Sequence, residues 1–163
     1  MTDQPASADK KFTITRVYDA PRTLVFDAWT RPELLAQWWG PHGFDTPSDK
    51  VSIDLRVGGR FEKVMVLNSE EIAAGMKMPV GSEFPDNVEF IEVVPPELLV
   101  MKSKPQPEMG LVVSTITRVE FHDEGGERTR VVLSDGPYTE QMGGYAEQGW
   151  SQSFEKLERL LAG

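Results

Sequence analysis

Two histidines, no cysteine and a scatter of carboxylates leave few side chains able to do chemistry, and those few sit beside glycines or paired aromatics. His42 lies in Gly40-Pro41-His42-Gly43-Phe44, just after Trp38-Trp39, where a loop can present an acid–base side chain at a cavity mouth or leave it idle in solvent. Tyr145 and Glu147 follow Gly143-Gly144 and offer an acid and a base if they meet in a cavity. Asp54 and Arg56 are two residues apart on one strand face. Facing inward they would anchor a ligand carboxylate through the guanidinium fork; facing water, as the neighbouring apolar alternation favours, they form a surface pair. His122, beside Asp123-Glu124 on a polar strand face, reads as surface. Without Cys, and without His-x-His or His-Glu-x-x-His spacing, no metal site is expected. No Gly-x-Ser-x-Gly, Walker-type or Gly-x-Gly-x-x-Gly sequence supports a hydrolase, an NTPase or a dinucleotide cofactor, and no cofactor is expected.

The elements that must position these residues follow from periodicity. Residues 1–10 read as a disordered polar tail and 11–163 as one domain. From Phe12 an alternation runs to Tyr18, and Pro21 suits the first turn of a helix carrying Val25, Phe26, Ala28 and Trp29. Thr30-Arg31-Pro32-Glu33 matches a capping box that restarts the chain as a second short helix, with Leu34, Leu35 and Trp38 inward. The period then changes. Val51, Ile53, Leu55 and Val57 alternate as a half-buried strand, and Gly58-Gly59 turns it into a second strand over Arg60 to Leu67. Residues 68–87 read as a long, partly ordered connection with one helical turn after Ser69. Val88–Val94 and Leu98–Lys102 flank Pro95-Pro96, and a hairpin joins the Val113–Phe121 alternation to Arg128–Ser134 across Gly125-Gly126. Residues 138–161 are helical again, about 36 Å at 1.5 Å per residue, with Met142, Trp150, Ser153 and Leu157 on one broad face.

One strand, two short helices, about six hairpin strands and a long helix predict an α+β fold in which a curved antiparallel sheet of about seven strands wraps the terminal helix. A helix about 10 Å wide does not fill that concavity, so a cavity is expected. Gly143, Gly144 and Gly149 each cost the helix about 1 kcal/mol relative to Ala; either room for a ligand offsets that cost, or the glycines simply fray or kink the helix start. The expected lining is Trp38, Trp39, Phe44, Met65, Met76, Met78, Phe90, Met101, Thr115, Thr117, Met142, Ala146, Gly149, Trp150 and Ser153, an adaptable apolar set.

Trp38-Trp39-Gly40-Pro41, Asp54-x-Arg56-x-Gly58-Gly59, Glu92-Val93-Val94-Pro95-Pro96-Glu97 and Gly149-Trp150-x-x-x-Phe154-x-x-Leu157, in this order over residues 12–161, resemble the Aha-type family. These are homologues of the activator of the heat-shock protein ninety ATPase, within the START-like (SRPBCC) helix-grip superfamily. The resemblance implies a sheet gripping a C-terminal helix around a hydrophobic cavity, and a stand-alone bacterial domain. It offers three functions: binding of a small, largely apolar molecule, a cyclase or dehydratase-like reaction in the cavity, or a co-chaperone-like stress-response contact with a heat-shock protein ninety homologue. The stretch Asn68–Met78 is longer than the family pattern, which makes the cover of the cavity particular to this chain.

Charge and composition narrow the partners. Seventeen Lys plus Arg against 26 Asp plus Glu give a net charge of -9, which opposes binding to nucleic acid or to anionic membrane surfaces. The N-terminus lacks the pattern of a signal peptide and no apolar run of membrane-spanning length occurs, so a cytoplasmic protein is expected, with homodimerisation possible.

Overall fold

The computed structural model describes residues 8–163. Most of the polar tail expected for residues 1–10 lies outside the described residues, and the first strand already starts at Lys10. β1 (Lys10–Tyr18) leads into α1 (Arg22–Thr30) and α2 (Pro32–Leu35). β2 (Phe44–Asp45), β3 (Ser52–Ile53), β4 (Arg60–Leu67), α3 (Glu70–Met76), β5 (Glu83–Val94), β6 (Leu98–Ser103), β7 (Ile116–Gly125), β8 (Arg128–Tyr138) and α4 (Glu140–Ala162) follow. All pairings are antiparallel, in the order β1-β8-β7-β6-β5-β4-β2 with β3 also on β4, and α4 packs against β1 and β8. This is the α+β helix-grip fold, with eight strands where about seven were expected.

Three local expectations change. The strand over Val51–Val57 shrinks to Ser52–Ile53, because the chain turns at once: Asp54 N–H donates to Arg60 O and Gly59 N–H to Arg56 O. Leu55 and Val57 are left exposed on this turn, and Gly59 is required there, since a Cβ would fall 2.0 Å from Asp54 O. The capping box at Thr30 does not form. Arg31, in extended conformation, caps α2 ahead of Pro32, and the Thr30 hydroxyl instead donates to Phe26 O. Residues 68–87, read as a connection, hold α3 and the start of β5. Ser69 Oγ accepts from Ile72 N–H as the cap of α3, and Lys77 ends it in a left-handed conformation.

β6 stops at Ser103, opposite Val88, so Glu83–Asn87 of β5 pairs with β4 alone and is an edge on its other side. Proline is tolerated on such an edge, and Pro85 sits there. The sheet is thereby opened between β5 and the 104–115 segment.

The core is aromatic and lies at the far end of the grip. Trp29, fully buried, meets Trp38 (ring centroids 4.8 Å apart), Trp39, Phe121, Trp150 and Phe154. Phe154 and Leu157 of the second half of α4 are buried in the same cluster.

Candidate functional site: a polar-floored cavity under the terminal helix

Between the first half of α4 and β4–β8 lies a cavity of about 410 Å³, within the range of about 300–1,000 Å³ usual for small-molecule sites. α4 supplies Met142, Tyr145, Ala146, Gly149, Trp150 and Ser153; the sheet supplies Met65, Phe84, Val88 and Met101; Trp39, Phe44, Met76, Met109 and Leu111 close the sides. Five methionines and six aromatic residues stand in this wall.

The floor is polar. Strand alternation puts Lys63 in phase with Phe61 and Leu67, and Asp135 in phase with Val131 and Leu133, so both point to the apolar side of the sheet. Asp135, 3 % exposed, accepts four hydrogen bonds: Thr117 Oγ1 at 2.8 Å and Gly136 N at 3.0 Å on Oδ1, Tyr138 Oη at 2.6 Å and Trp150 Nε1 at 3.0 Å on Oδ2. Burial pushes its pKa above the ordinary carboxylate value, against the pull of the four donors. Burial likewise raises the Tyr138 phenol, reinforced by the Asp135 charge.

Lys63 is 1 % exposed. Its Nζ stands 3.7 Å from Oδ2 of Asp86, its cross-strand partner, 3.4 Å from Phe61 O, and over the rings of Phe61 and Trp39 at 3.8 and 4.8 Å. Desolvation lowers its pKa, and Asp86 opposes that shift. Ser103 and Thr115 bond each other at 2.7 Å on the same wall.

Of the residues singled out from sequence, Trp39, Phe44, Met65, Met76, Met101, Thr115, Thr117, Met142, Ala146, Gly149, Trp150 and Ser153 line this cavity. Trp38, Phe90 and Met78 lie outside its wall. Trp38 is fully buried in the core with Nε1 donating to Ala28 O, Phe90 stacks on Phe61 behind the cavity, and Met78 is exposed beyond α3. Asp54 and Arg56 lie outside this wall and pair with each other at 2.9 Å on the exposed turn before β4. The acid–base candidates do not converge. Tyr145 lines the mouth at 60 % exposure, Glu147 lies outside the wall, and His42 faces Glu155 at 3.3 Å on the outer surface.

Sequence reasoning missed Lys63, Asp86, Asp135 and Tyr138. The signal was present in Phe61-x-Lys63-x-Met65-x-Leu67, where a charged residue occupies the apolar phase of a strand.

A cavity bounded by a curved antiparallel sheet and one long C-terminal helix defines a START-like domain. The description "Activator of Hsp90 ATPase homolog 1-like protein" (AHSA1) matches residues 19–162, and the chain belongs to that family. Similar solved structures include a protein of Nitrosomonas europaea (25 % identity, 98 % of each chain covered, TM-score 0.73). A protein of Chromobacterium violaceum (22 %, 93 % of this chain and 96 % of that one, TM-score 0.75) and the AHSA1 protein of Silicibacter pomeroyi (21 %, 94 % and 98 %, TM-score 0.74) share the fold. A search of the curated proteins returned no match. Among the described residues no helix is long and apolar enough to cross a membrane.

Proposed function

We propose that this chain is a binding domain that holds a small, largely apolar molecule between α4 and the sheet. The observation that carries this reading is the cavity of about 410 Å³, walled by methionines and aromatic rings and open beside β5. Burying about 300 Å² of apolar ligand at ~25 cal/mol/Å² contributes on the order of 7 kcal/mol before the costs of association, so micromolar binding is expected where polar contacts are few. Native mass spectrometry of freshly purified protein, followed by denaturing extraction, tests it: a stoichiometric small molecule of low polarity is expected. Failure to retain or take up any apolar probe would end the reading.

Family membership favours a second reading, a co-chaperone-like contact made by the outer surface rather than by the cavity. Addition of the chain to a heat-shock protein ninety homologue should then raise its ATPase rate, and an unchanged rate counts against it.

A further inference from the structure

We propose that Lys63 is the recognition group of the cavity and that the ligand is an apolar molecule carrying a neutral carbonyl-type oxygen, held by the Lys63 ammonium. The proposal rests on the ligand-binding reading above and names the chemistry of the ligand. An ammonium has three protons to place. The acceptors beside Lys63 are at 3.4 Å (Phe61 O) and 3.7 Å (Asp86 Oδ2), both beyond the 2.7–3.2 Å of a well-formed N–H···O bond. The faces of Phe61 and Trp39 favour the charge but do not replace a tight acceptor. A buried donor left this way carries a desolvation cost that an incoming oxygen would relieve.

Asp135 is the other buried charged group of the cavity, and its situation is the reverse. Its four donors fill the roughly four acceptor positions of a carboxylate, so a ligand hydroxyl could bind there only by displacing one of them. Of the two buried charges, Lys63 is therefore the one with hydrogen-bonding capacity to offer a ligand. Charge then selects among oxygens. Asp86 already balances Lys63, and Asp135 has no cation among its partners, so an anionic ligand would bring a third carboxylate into the cavity. A ketone, aldehyde or ester oxygen supplies the acceptor without that charge, and Met65 and Met101 on the sheet receive the apolar body.

Three probes of one shape separate the possibilities: 2-acetylnaphthalene, 2-ethylnaphthalene and 2-naphthoate, titrated by calorimetry into the full-length protein near neutral pH, with indole ¹H–¹⁵N shifts of Trp39 and Trp150 reporting location. The ketone should bind about tenfold more tightly than the hydrocarbon, and more tightly than the carboxylate. In Lys63→Met the advantage of the ketone should fall to within about twofold of the hydrocarbon, whose own affinity is retained and so reports an intact cavity. In Asp86→Asn, which keeps Lys63, ketone binding should persist and naphthoate should gain. Equal binding of ketone and hydrocarbon to the unmodified protein, or a preference for naphthoate, would overturn the inference and leave the ligand-binding reading standing. If none of the three binds, that reading falls as well.

Discussion

Asp135 is where one side chain ties several elements together. Its carboxylate joins Thr117 of β7, Tyr138 at the end of β8 and Trp150 of α4, so one buried acceptor links the helix to two strands. The Tyr138 donor is the largest of the influences that hold the Asp135 pKa down against burial. Tyr138→Phe keeps the stack on Phe12 but removes that donor. A loss of about 1–3 kcal/mol is expected. Its pH dependence has a definite sign. Because the native pKa is raised, the folded state holds the proton after the unfolded chain has released it, and the associated stability, full below the ordinary carboxylate range, is lost as pH rises through the native value. Without the phenol the native value rises further, so the deficit of Tyr138→Phe should grow with pH across that window and level off above it. Urea titrations at a series of pH values check this, and a deficit that does not change with pH would contradict it. From sequence, Thr117 and Trp150 are expected only as cavity lining, and Asp135 and Tyr138 are missed. Asp135 stands on the apolar phase of Val131-x-Leu133-x-Asp135, a pattern visible in the chain, but its four partners come from three elements and only the fold brings them together.

The glycines of α4 show how an element can be legible while its details are not. The long terminal helix is plain from its 3.6-residue period, and Thr139 caps it, accepting from Met142 N–H. The three glycines in its first half read alike from sequence, as room for a ligand or as a frayed or kinked start, yet they do different things. Gly143 lets β1 approach, since a Cβ there would meet Lys10 Cγ at 2.6 Å. Gly144 faces open space, and Gly149 alone lines the cavity, where a Cβ would meet only Pro41 at 3.9 Å. Periodicity places residues on a helix; it does not say which strand lies across from each. Gly144→Ala should accordingly stabilise by about 0.5–1 kcal/mol, or about 1–4 °C in Tm, with ligand affinity unchanged. Gly149→Leu should keep the fold and weaken apolar ligands by about tenfold or more, because its side chain takes ligand volume. Thermal melts and probe titrations on the two variants decide. Equal effects on binding would mean that the cavity is not the binding site. The same limit explains β3: the Val51–Val57 alternation is real, but Asp54 N–H and Gly59 close a turn early, and that closure depends on where β4 runs.

As a whole the molecule is a grip with unequal ends. At one end α1, α2 and the second half of α4 seal a core around Trp29, where Phe154 and Leu157 are about fully buried. At the other end the first half of α4 spans the cavity, with Met76, Met109 and Tyr145 both lining it and exposed at 42, 49 and 60 %. Trp150 joins the two, stacked on Trp29 at 5.7 Å and bonded to Asp135 on the cavity floor. The unequal packing implies unequal stability, since backbone opens most readily where few apolar contacts hold it. Amide hydrogen exchange should therefore run faster in α3, in residues 104–115 and in α4 before Trp150 than in α4 after Ser153. A saturating apolar ligand adds contacts only at the open end. At about 100 times its Kd it stabilises by about 2.7 kcal/mol, and that gain should appear as slowed exchange, by up to about a hundredfold, in those segments first. Peptide-resolved exchange with and without 2-ethylnaphthalene is the measurement. Protection confined to the Trp29 core, or spread evenly over the chain, would mean that binding and stability are not divided between the two ends of the grip.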